Sequence, residues 1–239
     1  MDGDVERRRV LGGRRRGLVE REIRDCAARL FAAQGIGGTS LQDIATAVGI
    51  SRPALYHYVK SKNELLVTLI LEVTATAGAE LAAIAGDDGS AVSRLRRLVT
   101  HSAGTVAADP DRFRLLVGPG AELPEQVARQ RIAWRQAVLA AFELVIRDGV
   151  TAGEFRPLDP TTAALSLFGL CTSVAWWFQP GTNVDIMTTT LTEMAAAALL
   201  ATPDRVRPEN GPVGAIDRLR AEIDHLEIFV RNAGNHDFR

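Results

Sequence analysis

The amino-acid sequence predicts an all-α protein in which a small N-terminal helical unit precedes a larger one. Three observations carry this expectation. Hydrophobic residues make up 46% of the chain and aromatics only 5%, so the core must be largely aliphatic, and Ala and Leu, both strong helix formers, dominate the apolar set. Apolar positions recur three and four residues apart, the period of an amphipathic helix, and no segment of note alternates with period two. Capping residues, glycines and prolines punctuate these stretches where helices start and stop.

From Val19 to Gln34, residues Ile23, Cys26, Ala27, Leu30 and Phe31 form one apolar stripe. Gly35 and the pair Gly37-Gly38 end it. Thr39-Ser40 supplies an N-cap, Gln42 or Asp43 is placed to complete a capping box, and Leu41, Ile44, Ala45 and Val48 form the next face. Gly49 marks the break. Ser51 can cap a third helix with Pro53 in its first turn, while Leu55 and one edge of Tyr58 face inward. Ser61-Lys62-Asn63-Glu64 is a further capping box, opening a long helix with Leu65, Leu66, Leu69, Ile70 and Val73 inside. Two short helices joined by a Gly-containing turn and buttressed by a preceding helix make a helix-turn-helix, whose second helix suits a DNA major groove.

After Gly86-Asp87-Asp88-Gly89 a helix carries Leu95, Leu98, Val99 and Val106 and closes at Asp109-Pro110-Asp111. A short segment, Arg112 to Val117, ends at Gly118-Pro119-Gly120. A long helix from about Pro124 to Asp148 carries Val127, Trp134, Val138, Ala141, Phe142 and Val145, with Gly149 and Gly153 expected to end it. Asp159-Pro160 starts a more apolar helix ending near Phe178, and residues 184–202 supply another with Ile186, Leu191, Met194, Leu199 and Leu200. Residues 203–211 are Pro-rich and polar, and 212–231 form a last amphipathic segment. The expected divisions are a basic flexible arm (1–17), a helix-turn-helix domain (18–62), a larger helical domain (63–202), and a linker with an extra helix (203–239).

A net charge of −1 hides an asymmetry: 12 basic against 7 acidic residues in 1–62, and 16 against 22 in 63–239. Arg7, Arg8, Arg9, Arg14, Arg15 and Arg16 form an acid-free run suited to following phosphates or entering a minor groove, or else a solvated tail. The Arg-rich start lacks the apolar core of a signal peptide, and no apolar run is expected to span a bilayer, so the cytoplasm is expected, with no membrane partner. Cys26 and Cys171 are too far apart to suggest a disulfide framework or a metal cluster, and no cofactor is expected. Catalysis is not expected either. There is no Gly-rich phosphate loop after a strand and no nucleophile elbow, and His57, His101, His225 and His236 are scattered.

The residues Thr39-Ser40-Leu41, Asp43-Ile44-Ala45, Val48-Gly49-Ile50-Ser51, Leu55-Tyr56-His57-Tyr58-Val59 and Lys60-Ser61-Lys62-Asn63-Glu64-Leu65 are strongly patterned. From about Val19 to Val73 the chain resembles the DNA-binding region of TetR-type repressors. Ser51, Arg52, Tyr56 and His57 fall on or near the outward face of the short third helix, and Arg52 alone among them can pair bidentately with guanine. Ala54 is small enough to meet a thymine methyl. Thr39, Ser40, Tyr58, Lys60 and Lys62 flank that helix and suit phosphate contacts, joined by Arg14, Arg15 and Arg16 of the arm; Thr39, Ser40 and Ser51 also read as helix caps.

The resemblance implies a homodimer on double-stranded operator DNA, with residues 160–178 and 184–202 building a four-helix interface, and a small-molecule effector that releases the DNA. The Ala-rich, apolar composition of those two segments points the same way, internal packing being the competing explanation. Gly153-Glu154-Phe155-Arg156 through Trp176-Trp177-Phe178-Gln179-Pro180-Gly181 is similar to actinobacterial regulators of lipid and sterol catabolism, some of which respond to acyl-CoA esters. Phe113, Leu116, Trp134, Phe142, Phe168 and Trp176 are the candidate lining of an apolar cavity, with Arg94, Arg97, Arg112, Arg131 or Arg135 at its mouth; core packing is the alternative for each aromatic. The competing functions are a ligand-independent architectural DNA-binding protein and a regulator that answers to another protein through residues 212–231.

Overall fold

The computed structural model describes residues 2–75, 77–118 and 123–201, with side chains described from Arg16 onward. Among the described residues ten helices follow in order: α1 (Asp2–Gly38), α2 (Leu41–Val48), α3 (Arg52–Leu55), α4 (Lys62–Thr74), α5 (Ala77–Ala85), α6 (Ala91–Ala108), α7 (Pro110–Val117), α8 (Glu125–Thr151), α9 (Pro160–Trp177) and α10 (Val184–Leu199). Among the described residues the one extended pairing is an isolated bridge between Phe155 and Leu200. The fold is all-α, as expected. The linker and helix expected over 203–239 lie outside the described residues.

Each stop and start has a local cause. Ser40, Ser51, Ser61, Ser90, Asp109, Asp159 and Asn183 all accept a hydrogen bond from a first-turn amide of the helix they precede. Pro sits in the first turn of α3, α7 and α9, where its missing N–H costs nothing. The inner faces of the first three helices pack as expected: Ile23, Ala27 and Phe31 of α1, Ile44 and Ala45 of α2 and Leu55 of α3 are each no more than 2% exposed. In the larger unit α6 is central, packed against α5, α8, α9 and α10, with Leu95, Leu98 and Val99 fully buried.

Four expectations change. The backbone is helical from Asp2, so the basic segment expected as a flexible arm continues the first helix; Arg is a good helix former and the run is rich in it. The helix opened by Ser61 ends at Thr74 and α5 begins at Ala77. The stretch Lys62–Ala85 is long and apolar enough to cross a membrane by length and composition alone, yet Leu65, Leu66, Leu69, Ile70, Leu81 and Ala85 are spent on the core. Gly149 lies inside α8, which runs on to Thr151.

The reason for Gly149 is close approach, since a Cβ there would stand 2.1 Å from Cδ2 of Phe155 and 2.9 Å from Cβ of Ala91. Phe155 is buried against that bare backbone after the chain turns at Gly153. Glu154 then reaches across to accept from the amides of Ala91 and Val92 at 3.1 Å each, so the end of α8 holds the start of α6. Gly149→Ala is expected to destabilise the fold by about 1–3 kcal/mol through overpacking, read as a lowered urea midpoint; an unchanged midpoint would show that Phe155 moves freely.

Candidate DNA interface and internal cavity

The N-terminal unit is organised by the end of α1. At Gly35 the backbone turns to φ 77° and ψ 158°, a region only glycine occupies without strain. Carbonyls freed at such a terminus need donors. Thr39, 1% exposed, donates from Oγ1 to Gly35 O at 3.0 Å and Leu30 O at 3.3 Å. Lys62 on α4 donates from Nζ to Ile36 O at 2.7 Å and Thr39 O at 3.0 Å. Both were expected at phosphates. Instead the burial of Thr39 and these bonds of both residues place Thr39 and half-buried Lys62 as clamps at the junction of α1, α2 and α4.

The α2 box uses Asp43, not Gln42. Ser40 donates to its carboxylate from Oγ at 2.7 Å and from N at 2.8 Å, and Asp43 N returns a bond to Ser40 Oγ at 3.2 Å. The Ser40 hydroxyl and amide hold the Asp43 carboxyl below the usual carboxylate range. The cap is therefore complete at neutral pH and is lost only as pH falls through that lowered value. Gly49 closes α2 in the left-handed region. At α4 Glu64 accepts from Lys60 N at 2.9 Å, one residue earlier than in a standard box, while Ser61 caps Glu64 N at 3.1 Å.

Between these anchors α3 is only four residues long, pinned by Leu55 and Val59 at 0% and 6% exposure. Its free side presents Ser51, Arg52, Tyr56, His57 and Lys60, all exposed, with Ala54 half-buried among them. Arg52 Nη2 donates to the Tyr56 hydroxyl at 3.2 Å, and its guanidinium stands 5.8 Å from that ring's centroid. Half-buried Tyr58 is approached by Arg16, 6.0 Å from its ring, and Arg16 also pairs with Glu20 at 3.0 Å. The side chains of Arg14 and Arg15 lie outside the described residues. The surface thus combines one rigidly based arginine, three further polar side chains and an adjacent lysine, a donor set suited to a groove-reading helix.

A cavity in the larger unit is lined by Phe113, Trp134, Phe142 and Phe168, four of the expected residues. Trp134 is the hub, 6.2 Å from Phe113 in an edge-on arrangement and 5.6 Å from Phe168. Leu116 is buried away from the cavity, and Trp176 is 56% exposed beside a separate depression near Phe31 and Arg114. Of the candidate arginines Arg135 stands next to the lining, 5.7 Å over the Phe168 ring. The rest have other partners: Arg94 binds Asp148 and Ala85 O, Arg97 binds Asp87, Arg131 leans on Gly118 O and Arg112 binds acids. Sequence reasoning missed the polar wall of His101, Ser102, Thr105 and Thr172, because helical Ser and Thr carry no periodic signal. The free volume is about 30 Å³, room for roughly two waters.

One ion cluster joins this region to α1. Arg112 on α7, adjacent to the cavity-lining Phe113, reaches Asp25 of α1 at 2.8 Å, Glu72 of α4 at 3.5 Å and Asp109 at 2.6 Å. Arg24 of α1 binds the same Glu72 at 2.9 Å. On the far side, α9 and α10 leave Leu165, Trp177, Ile186 and Met194 between 40% and 66% exposed. A groove of about 520 Å³ runs between these helices, walled by Leu158, Leu170 and Met194 among others.

Comparison with known proteins gives two successive family matches. Residues 23–69 match the bacterial regulatory proteins of the tetR family, and residues 88–199 match a tetracyclin repressor-like C-terminal domain. The chain is 28% identical over 176 residues to the HTH-type transcriptional repressor KstR2 of Rhodococcus jostii, covering 70% of this chain and 83% of that one. A crystal structure of a tetR-family regulatory protein from Rhodococcus RHA1 aligns with TM-score 0.64 and 28% identity, over 77% of this chain and 98% of that one. AibR in complex with isovaleryl coenzyme A and operator DNA aligns with TM-score 0.61 and 25% identity, over 74% and 97%.

Cys171 stands in the cavity wall, and burial pushes its thiol up to about 12; burial also raises the Cys26 thiol. Thiolate is the reactive form. Iodoacetamide at pH 8 is therefore expected to label neither cysteine in the folded protein and both after denaturation, read by mass spectrometry. Rapid labelling of folded Cys171 would mean that the cavity opens widely to solvent.

Proposed function

The chain belongs to the TetR family of bacterial regulatory proteins, and we propose that it is a dimeric repressor that binds a palindromic operator in the cytoplasm and is released by a largely apolar effector. That it is a transcriptional regulator follows from both family matches and from relatives that are named regulators, not enzymes. The carrying observation for operator reading is the exposed set Ser51, Arg52, Tyr56, His57 and Lys60 on a short helix fixed at both ends. Arg52 reads a base edge, Ala54 lies close to the groove floor, and Ser40, Tyr58, Lys60 and Arg16 set the register on phosphates, with Arg14 and Arg15 adding charge.

A four-residue reading helix spans few base pairs, so two copies about 34 Å apart are needed for a selective site. The apolar face of α9 and α10 supports dimerisation there, because a surface carrying Leu165, Trp177, Ile186 and Met194 is costly to leave in water. The effector occupies the space around Trp134. The isovaleryl coenzyme A bound by AibR supports an acyl thioester, whose acyl end alone would enter while Arg135 meets the anionic remainder at the mouth. With room for only about two waters, entry must displace Phe113. Phe113 and Arg112 are consecutive on α7, so this displacement pulls Arg112 from Asp25 and Glu72 and shifts α1 and α4, which carry the clamp.

Arg52→Ala is expected to relax preference at one position per half-site and to cost about 1–3 kcal/mol per protomer on the operator. Lys60→Ala should instead weaken operator and random duplex alike and flatten the salt dependence. Footprinting and titration at two salt concentrations separate the two; equal losses on every sequence from both variants would refute the division of roles. Arg112→Gln is expected to keep operator affinity and isovaleryl-CoA affinity while abolishing most of the roughly 1–3 kcal/mol coupling between them. Undiminished release by the ligand would remove α7 from the route.

A further inference from the structure

One wall of the cavity is polar, and its hydroxyls are not equivalent. Thr105 donates from Oγ1 to His101 O at 2.7 Å, and Thr172 donates to Phe168 O at 2.8 Å. Their protons are committed and only lone pairs remain to face the cavity. His101 Nε2 is engaged by the Glu80 carboxylate at 3.2 Å. Ser102 differs from all three: its Oγ is buried and has no hydrogen-bond partner among the described residues. Ser102 and Thr105 lie three apart on α6, where helical side chains are neighbours.

Among its hydroxyls the wall therefore offers one uncommitted donor, at Ser102, beside acceptors at Thr105 and Thr172. An unpaired buried hydroxyl is costly and calls for a partner. A hydrocarbon leaves it unpaired. A ketone oxygen takes the Ser102 proton but gives nothing to Thr105. A carboxylate meets no lysine or arginine in this lining, and the Glu80 carboxylate already faces His101. A hydroxyl both accepts and donates, and so answers both side chains. The rest of the lining, Phe113, Trp134, Val138, Phe142 and Phe168, is apolar and in part aromatic, which suits a ring or branched skeleton.

We infer that Ser102 is a specificity-determining residue for an effector whose buried part is an apolar skeleton bearing a hydroxyl, its oxygen accepting a hydrogen bond from Ser102 and its O–H donating one to Thr105. This rests on the cavity being the effector site. The test uses 2-indanol, 2-indanone and indane, matched in skeleton, titrated calorimetrically into the full-length protein. The alcohol is expected to bind about tenfold more tightly than indane, one good hydrogen bond's worth, with the ketone between them. Ser102→Ala should bring 2-indanol to within about twofold of indane, a loss of that same hydrogen bond, without altering indane binding. Ser102→Thr, which keeps the hydroxyl, should retain the preference. Equal binding of alcohol and hydrocarbon by the unaltered protein, or a preference that survives Ser102→Ala, overturns the assignment while leaving the cavity as a site. No binding of any of the three overturns the cavity reading and this inference with it.

Discussion

Four hydrogen bonds from Thr39 and Lys62 to the carbonyls around the end of α1 are the constraint on which the N-terminal unit depends. They convert a loose glycine-containing turn into a fixed corner where α1, α2 and α4 meet. The reading helix is too short to hold itself: four residues make a single turn, and isolated helices of that length do not persist in water. Its orientation is inherited from the corner and from Leu55 beneath it. Lys62 also makes α4 part of the same body as α1. Any movement of α4 is consequently felt as a change in the angle of the whole DNA-facing surface, not as a local adjustment.

The larger unit shows the same economy on α7. Eight residues bounded by Asp109 and Gly118 place Phe113 into the cavity and Arg112 into a cluster with Asp25 and Glu72. Ion pairs with partners a third or more exposed contribute little to stability, commonly less than about 1 kcal/mol each. Their importance here is geometric. A side chain shared by three helices is a sensitive register mark, because it can satisfy all its partners in only one arrangement of those helices.

Helix order and most boundaries were legible in the sequence because each rests on a local rule, whether a capping Ser or Asp, a Pro in a first turn, or an apolar stripe of period 3.6. The departures arise where a distant contact overrides the local signal. Gly149 reads as a stop, but it is the bare patch of backbone that admits Phe155. Thr39 and Lys62 read as exposed polar residues beside a DNA-reading helix, and nothing local reveals that carbonyls up to 26 residues away claim them. The aromatic lining of the cavity was legible, since few large side chains exist in this chain to fill a core. Its polar wall was not, because Ser and Thr on a helix look alike whether they face water, a neighbouring carbonyl or a void.

The tightness of the cavity has a kinetic consequence. If the effector enters this cavity, as proposed above, roughly two waters' worth of space means that it cannot dock into a waiting pocket, and association must await a rearrangement of packed aromatic side chains around Trp134. Entry would then proceed more slowly than collision, below the usual range for preformed sites. At high ligand concentration its rate levels off at the rate at which the packing loosens. The same packing slows escape once it has closed over the bound skeleton. A regulator working through that site would integrate its signal over time, disregarding brief pulses of metabolite and holding its state after a sustained one.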